Sequence, residues 1–305
     1  IALNAESTSD AGIVSKNRVY DLKNYNGGVF GANVYTPAIS GITIGGSDLT
    51  GSYTYIANGS YTLINNMIYL APEVHPTKSY NNPDIYGILD VTKSGNTTKY
   101  YYNTVYISGA GKSSLPGDCP VVPSYAFMRS AAGNGEVNGG TVYLKNNILI
   151  NNRTGYVDHF AICNNTSNPP TGWSSANIDY NLLSTGNTST VVQRIVGNFQ
   201  TGTATSFNYA NYRSTFGTDS NGKYGQTVTG STPSSYTNDP SVDVLNPEAG
   251  YLFKDPDNIK GAMSFLHIDE SDLNSHLFVK ENGTPVAGIT ADFDEEVRSA
   301  TVPTI

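Results

Sequence analysis

The chain has 305 residues, a formal charge of −8 and only 14% charged side chains. So few Lys and Arg exclude an electrostatic nucleic-acid interface, which must neutralise phosphates, and no apolar run is long enough to cross a bilayer as a helix. Asn, Ser, Thr, Gly and Tyr take the place of charge, a mix that suits pleated strands and turns.

The first residues lack the basic-then-apolar pattern of a secretory leader, which fits a mature or trimmed chain. Thereafter the chain reads as short strands broken by asparagine corners. Ile13-Val14-Ser15 leads to Asn17-Arg18-Val19-Tyr20, and Thr62-Leu63-Ile64 to Asn66-Met67-Ile68-Tyr69. Tyr100-Tyr101-Tyr102 leads to Asn103-Thr104-Val105-Tyr106, and Val142-Tyr143-Leu144 to Asn146-Asn147-Ile148-Leu149. The last such pair is Ile178-Asp179-Tyr180 and Asn181-Leu182-Leu183-Ser184.

Between corners a third strand recurs, as Gly41-Ile42-Thr43-Ile44, Gly87-Ile88-Leu89-Asp90, Ala126-Phe127-Met128-Arg129 and Ala161-Ile162-Cys163-Asn164. The spacing is too irregular for a helical repeat and suits a coil whose loops vary while its strands do not. The predicted fold is all-β, a right-handed parallel β-helix with three strands per rung. Rungs occupy 1–190. Residues 191–305 continue the coil through irregular closing rungs to a cap, within one structural domain.

Period-2 alternation predicts which side chains face inward. Val19, Ile68, Val105, Ile148 and Leu183 form one inward row, with Asp21, Leu70, Ile107, Ile150 and Thr185 two residues on. Arg18, Thr104, Asn147 and Tyr106 then face out. Asn17, Asn66, Asn103, Asn146 and Asn181 form a structural ladder: asparagine tolerates left-handed backbone at a sharp corner, and stacked amides can satisfy one another along the axis.

The segments around Pro72 to Pro83, Gly109 to Pro123 and Asn164 to Gly172 read as loops, where specificity concentrates. Past Asn187 the repeat weakens. Val191 to Val196 suggests a strand, Tyr209 to Phe216 a short helix or turn, and Tyr236 to Pro240 a turn. Phe265 to Ile268 and Val286 to Phe293 suggest late strands. The opening rung leaves strand edges for further residues or another chain to cover.

Candidate chemistry is thin. Asp90 and Arg129 occupy equivalent positions in neighbouring rungs; a solvated ion pair and a catalytic pair are the two readings. Asp158-His159 is a second catalytic candidate. Asp292, Asp294 and Glu295 could bind calcium through clustered oxygens, or form a cap in which Arg298 pairs with one acid. Tyr20, Tyr69 and Tyr106 make an outward row, either a platform for sugars or a partner, or reinforcement of the sheet. Cys119 and Cys163 are either a disulfide of a secreted protein or two buried thiols. No phosphate loop, nucleophile elbow or zinc pattern occurs.

Three stretches resemble a known family. They are the corner motifs Asn103 to Gly109 and Lys145 to Asn151, the run Ser174 to Leu183 followed by Tyr209 to Gly217, and the ending Gly288 to Arg298. They look like secreted right-handed β-helix proteins of the pectate-lyase-like superfamily, common in Bacteroidetes and Ignavibacteria and exported by type IX secretion. In that family glycine usually stands at the position of Glu295, and the chain usually runs on into a Gly-Ala-Asp-Glu segment where this one stops at Ile305. The resemblance implies a piece of a longer surface protein. Two functions are carried forward. One is an extracellular, non-enzymatic structural or adhesive protein that self-assembles through the ends or faces of its coil. The alternative is a carbohydrate-binding protein or polysaccharide lyase or hydrolase. Identical chains or surface glycans are the expected partners, and calcium is the one cofactor the acids suggest.

Overall fold

The computed structural model describes residues 1–3, 11–22, 38–45, 59–71, 84–109, 123–130, 139–153, 159–165, 173–185, 196–200, 204–207, 209–226, 252–253, 265–269 and 279–305. The first rung holds β1 (Ala2–Leu3), β2 (Ala11–Ser15) and β3 (Arg18–Val19), and the second β4 (Ala38–Ile44), β5 (Ser60–Ile64) and β6 (Met67–Leu70). The third holds β7 (Asp84–Asp90), β8 (Thr97–Tyr101) and β9 (Thr104–Ile107); the fourth β10 (Ser124–Ser130), β11 (Thr141–Lys145) and β12 (Ile148–Asn151). The fifth holds β13 (His159–Asn165), β14 (Ile178–Asp179) and β15 (Leu182–Thr185). A sixth turn opens with β16 (Val196–Gln200), reverses through antiparallel β17 (Ala204–Phe207), and passes α1 (Tyr209–Phe216) to β18 (Lys223–Gln226).

Equivalent strands stack into sheets ordered β1-β4-β7-β10-β13-β16-β17, β2-β5-β8-β11-β14 and β3-β6-β9-β12-β15-β18, parallel throughout except at β17. This is the predicted β-helix, with the right-handed crossover that strand twist imposes. The third-strand register is also as read: Ile42, Ile88, Phe127 and Ile162 align, as do Ile44, Asp90, Arg129 and Asn164.

The interior is built from such columns. Val14, Leu63, Tyr100, Leu144 and Ile178 form one, and Val19, Ile68, Val105, Leu149 and Leu183 another. The fourth member of the second column is therefore Leu149 and not the predicted Ile148, and Asn151 replaces Ile150 beside Ile107. A slip of one residue reverses every side chain it touches. Ile148 and Ile150 thus face outward, alongside Thr104 and Tyr106.

That outward face is not solvent-exposed. Tyr106, Ile148, Ile150 and Leu182 pack with Leu252, Phe253, Phe265, Leu266, Val279 and Ile305 into a second hydrophobic cluster outside the coil. The C-terminal residues thus lie along the flank of the β-helix, and the end of the coil is closed separately by β17 and α1. The late strands expected at Phe265 to Ile268 and Val286 to Phe293 are single bridges, Phe253 to Ile268 and Ala291 to Val297. The helix expected at Tyr209 to Phe216 is α1. Residues 191–195, 236–240 and most of the predicted loops lie outside the described residues.

Candidate functional site

An asparagine column runs the length of the coil. Asn17 Nδ2 donates to Asn66 Oδ1 at 2.9 Å, Asn66 to Asn103 at 2.8 Å, Asn103 to Asn147 at 3.0 Å and Asn147 to Asn181 at 3.0 Å. Each of these oxygens also accepts the donor residue's own backbone N–H. The second amide hydrogen of Asn66, Asn103, Asn147 and Asn181 goes to a carbonyl of the preceding rung, at Val14, Leu63, Tyr100 and Leu144. The predicted fourth member, Asn146, is displaced by its neighbour Asn147. The doublet offers two candidates, and the apolar columns on either side decide between them.

The left-handed backbone of each corner sits one residue before the ladder asparagine. Lys16, Asn65, Tyr102, Asn146 and Tyr180 have φ of 56°, 54°, 55°, 57° and 59°. Bend and ladder are therefore separate jobs, where the sequence reading gave both to one asparagine. The first is a conformational requirement that costs a non-glycine residue roughly 1 kcal/mol; the second needs an amide.

The first four of these bend residues meet the C-terminal segment in turn. Lys16 Nζ lies 2.5 Å from Glu295 Oε1. Asn65 donates to Ala291 O at 3.0 Å and accepts from Arg298 Nη2 at 3.1 Å. Tyr102 Oη donates to Thr284 O at 2.8 Å, and Asn146 both donates to Thr284 O and accepts from its N–H, at 2.8 Å each. Residues 279–305 form a clasp along the coil, tied at Gly283 N to Pro303 O and at Ile305 N to Val279 O. A cavity of about 360 Å³ lies beneath it, lined among others by Tyr102, His267, Lys280, Asp292 and Arg298.

The sequence candidates fall into this frame differently from their prediction. Asp90 and Arg129 are adjacent but sealed inside the coil, each 1% exposed, so the solvated-pair reading is overturned. Asp90 Oδ1 accepts from Thr92 N at 2.8 Å. Burial holds the Arg129 guanidinium below its ordinary pKa, with Asp90 and the Tyr100 phenol opposing that drop. Tyr100 is driven well upward, first by burial and then by Asp90. Gly139 lets the guanidinium lie flat, since a Cβ there would stand 2.7 Å from Arg129 Nε. A polymer cannot reach this pair. His159 Nδ1 shares a 2.8 Å hydrogen bond with buried Ser124; Asp158 lies outside the described residues.

Tyr69 and Tyr106 are aligned on the outward face, but the C-terminal segment covers part of it. Tyr20 packs on Phe265 and Tyr106 on Phe253, at 5.3 and 5.7 Å between ring centres. Tyr106 is 6% exposed against 38% for Tyr20, and burial pushes its phenol up to about 12. The described aromatic row that truly stacks is elsewhere, on the first sheet: Tyr86, Tyr125 and Phe160, with rings 6° and 10° from parallel.

The acidic trio diverges. Asp292 Oδ1 accepts from Asp294 N and Glu296 N within its own turn, Asp294 meets His267 Nε2 at 2.5 Å, and Glu295 meets Lys16. Arg298 bonds to Thr304 O and Asn65, its guanidinium over Tyr102. Among the described residues no group of three or more His, Cys, Asp or Glu is placed to hold a metal. Cys163 is buried, and Cys119, with the question of their pairing, lies outside the described residues.

One functional position was missed entirely. Asp219 closes the ladder: its Oδ1 accepts from Asn181 Nδ2 at 2.8 Å and Asn181 N at 3.2 Å, and Oδ2 accepts from Tyr212 Oη at 3.2 Å. Complete burial raises its carboxyl to about 7, against those hydrogen bonds and with a smaller upward push from Asp179. The available signal was its distance from Asn181, which matches the spacing between earlier corners. No family model, curated protein or solved structure matches this chain.

Proposed function

We propose that this chain is an extracellular, non-enzymatic structural or adhesive protein that assembles through the ends or faces of its coil. The observation that carries the reading is the continuous amide ladder, which runs from Asn17 to Asn181 and finishes on Asp219 and Tyr212. It stiffens the coil as a spacer, and the charged pair best suited to chemistry, Asp90 and Arg129, is sealed inside.

The alternative, a carbohydrate-binding or polysaccharide-cleaving protein, draws on the polar cavity beneath the clasp. Its acid and base candidates are weaker, because Asp90 and Arg129 are out of reach of a glycan. The deciding experiment is a glycan array paired with absorbance detection of unsaturated uronides and a reducing-end assay. Silence in all three is expected. Turnover of any polysaccharide would replace the structural reading with an enzymatic one.

A further inference from the structure

One side chain beneath the clasp has an acceptor at each of its ring nitrogens. His267 Nδ1 lies 2.9 Å from the Phe265 carbonyl oxygen, and Nε2 lies 2.5 Å from Asp294 Oδ2. A carbonyl oxygen can only accept, so Nδ1 keeps its hydrogen. Nε2 then meets the carboxylate either with a proton between them or with two lone pairs opposed. A neutral imidazole has one N–H and cannot serve both contacts, whereas an imidazolium has two and serves both.

Neither partner is free to turn away. The His267 segment is held by the bridge from Ile268 to Phe253, by Asp269 N donating to Leu252 O at 2.9 Å, and by Leu266 in the outer hydrophobic cluster. Asp294 sits in a turn fixed by its own bonds. Asp292 Oδ1 accepts from Asp294 N and Glu296 N at 2.9 Å each, and Arg298 N donates to Thr290 O at 2.9 Å. The Phe293 ring stands edge-on to the imidazole, with 84° between their planes. The other charged and titratable groups around this cavity are Asp292, Glu296 and Arg298 of the turn, Lys280 and Glu281 at the start of the clasp, and Tyr102 of the coil. Arg18 reaches the turn across the Phe293 ring at 4.8 Å, and Lys16 through Glu295. Histidine is the side chain whose charge ordinarily changes between about pH 5 and 8.

We propose that His267 and Asp294 form a proton-operated latch, which holds the 291–298 turn of the clasp while a proton lies between them and releases it when that proton is lost. The contact sets the sign. At the acid end of the interval the imidazolium donates to the carboxylate in a charge-assisted bond. At the alkaline end a lone pair and an ionised carboxylate stand opposed at hydrogen-bond distance. The hold is therefore present at low pH and lost as pH rises. Release is local, because the bonds of Thr284 to Asn146 and the seat of Arg298 on Asn65 and Tyr102 do not involve this proton. The latch goes beyond the proposed function and stands whether the chain is structural or carbohydrate-active.

The test is amide exchange by mass spectrometry on the full chain at about pH 5.5 and about pH 8, spanning the histidine interval, with protection expressed relative to the intrinsic rate at each pH. Protection across 291–298 should fall about tenfold, the worth of one hydrogen bond to a charged group at a partly exposed site. Strands β8 and β11 should keep theirs. His267→Gln places a permanent amide donor near the position of Nε2 and should show no such fall. Long-range proton–nitrogen NMR of the His267 ring needs no variant: both nitrogens should carry hydrogen at the lower pH, and Nε2 should lose its hydrogen over the interval in which protection falls. The proposal is overturned if protection is unchanged or rises with pH, if it survives the loss of the Nε2 hydrogen, or if His267→Gln keeps the parent's fall.

Discussion

Arg298 holds its guanidinium 3.8 Å from the centre of the Tyr102 ring, fastening the C-terminal clasp onto the third corner of the coil. The same side chain bonds Asn65 of the second corner and Thr304 of the clasp itself. Burial raises the Tyr102 phenol, with the Arg298 charge opposing. A planar, always-charged fork suits a site that stacks and bonds at once, and lysine would not replace it. Arg298→Ala should loosen the clasp by about 2 kcal/mol, combining one cation–π contact with hydrogen bonds. Limited proteolysis checks this. Cleavage within 279–305 should quicken while the far-ultraviolet circular dichroism of the coil is unchanged.

The two asparagines of the fourth corner separate bend from ladder. Asn147→Ala removes the acceptor for two buried donors of Asn103. Each orphaned donor costs about 1–3 kcal/mol, so a loss of roughly 2–5 kcal/mol in urea unfolding is expected. Asn146→Ala leaves the ladder intact and removes two bonds to Thr284. Its cost should be about 1–2 kcal/mol. Equal losses at the two positions would show that the column does not run through Asn147.

Coil, three-strand rung and ladder were legible because parallel stacking repeats one residue type per position. Aliphatic residues return at the inward columns, and asparagine returns wherever an amide must both donate and accept. The fourth corner was misread because Asn146-Asn147 satisfies the motif twice and only the strand register separates the copies. The clasp was illegible for a different reason. Its contacts join residues more than a hundred positions apart, such as Tyr102 with Thr284, and it carries almost no periodic structure. The hint lay in Ile148, Ile150 and Leu182, three apolar side chains on a face that should have been wet. Asp90 and Arg129 were read as surface charges because opposite charges on adjacent strands usually are. Ile44, aligned with both and fully buried, was the residue that could have corrected this.

Asp90 and Arg129 make a test of burial against pairing. Arg129→Met leaves the Asp90 carboxylate inside the coil without its partner, a change expected to cost about 3–5 kcal/mol. Asp90→Leu with Arg129→Met removes both charges and should recover most of that loss. A double-mutant cycle by chemical denaturation measures the coupling. Simple additivity of the two single losses would mean that the pair does not interact.

Glu295 occupies a left-handed position, with φ of 70°, at the tip of the acidic turn. Its carboxylate meets Lys16, but 77% of the side chain is exposed, so that ion pair contributes little. Glu295→Gly relieves backbone strain of roughly 1 kcal/mol. The clasp should therefore be held more firmly in the variant, with slower proteolysis in 279–305. Faster cleavage would show that Lys16 outweighs the strain.

Asp219 makes the end of the ladder sensitive to pH. Its carboxyl titrates at about 7 in the folded chain against 3.8 for an ordinary aspartate. Between those values the folded protein keeps a proton that the unfolded chain has released. Stability from this group is therefore present at pH 4 and lost as pH rises through 7, by on the order of 4 kcal/mol. Asp219→Asn keeps the acceptor for Asn181 and cannot ionise, while its amide can donate to Tyr212 Oη. The variant should match the parent near pH 4, exceed it at pH 8, and show a shallower decline in thermal midpoint between them. A parent midpoint that rises over this interval, with the variant's falling below it at pH 8, would mean that the ionised carboxylate, held by Asn181 and Tyr212, is the form the fold prefers.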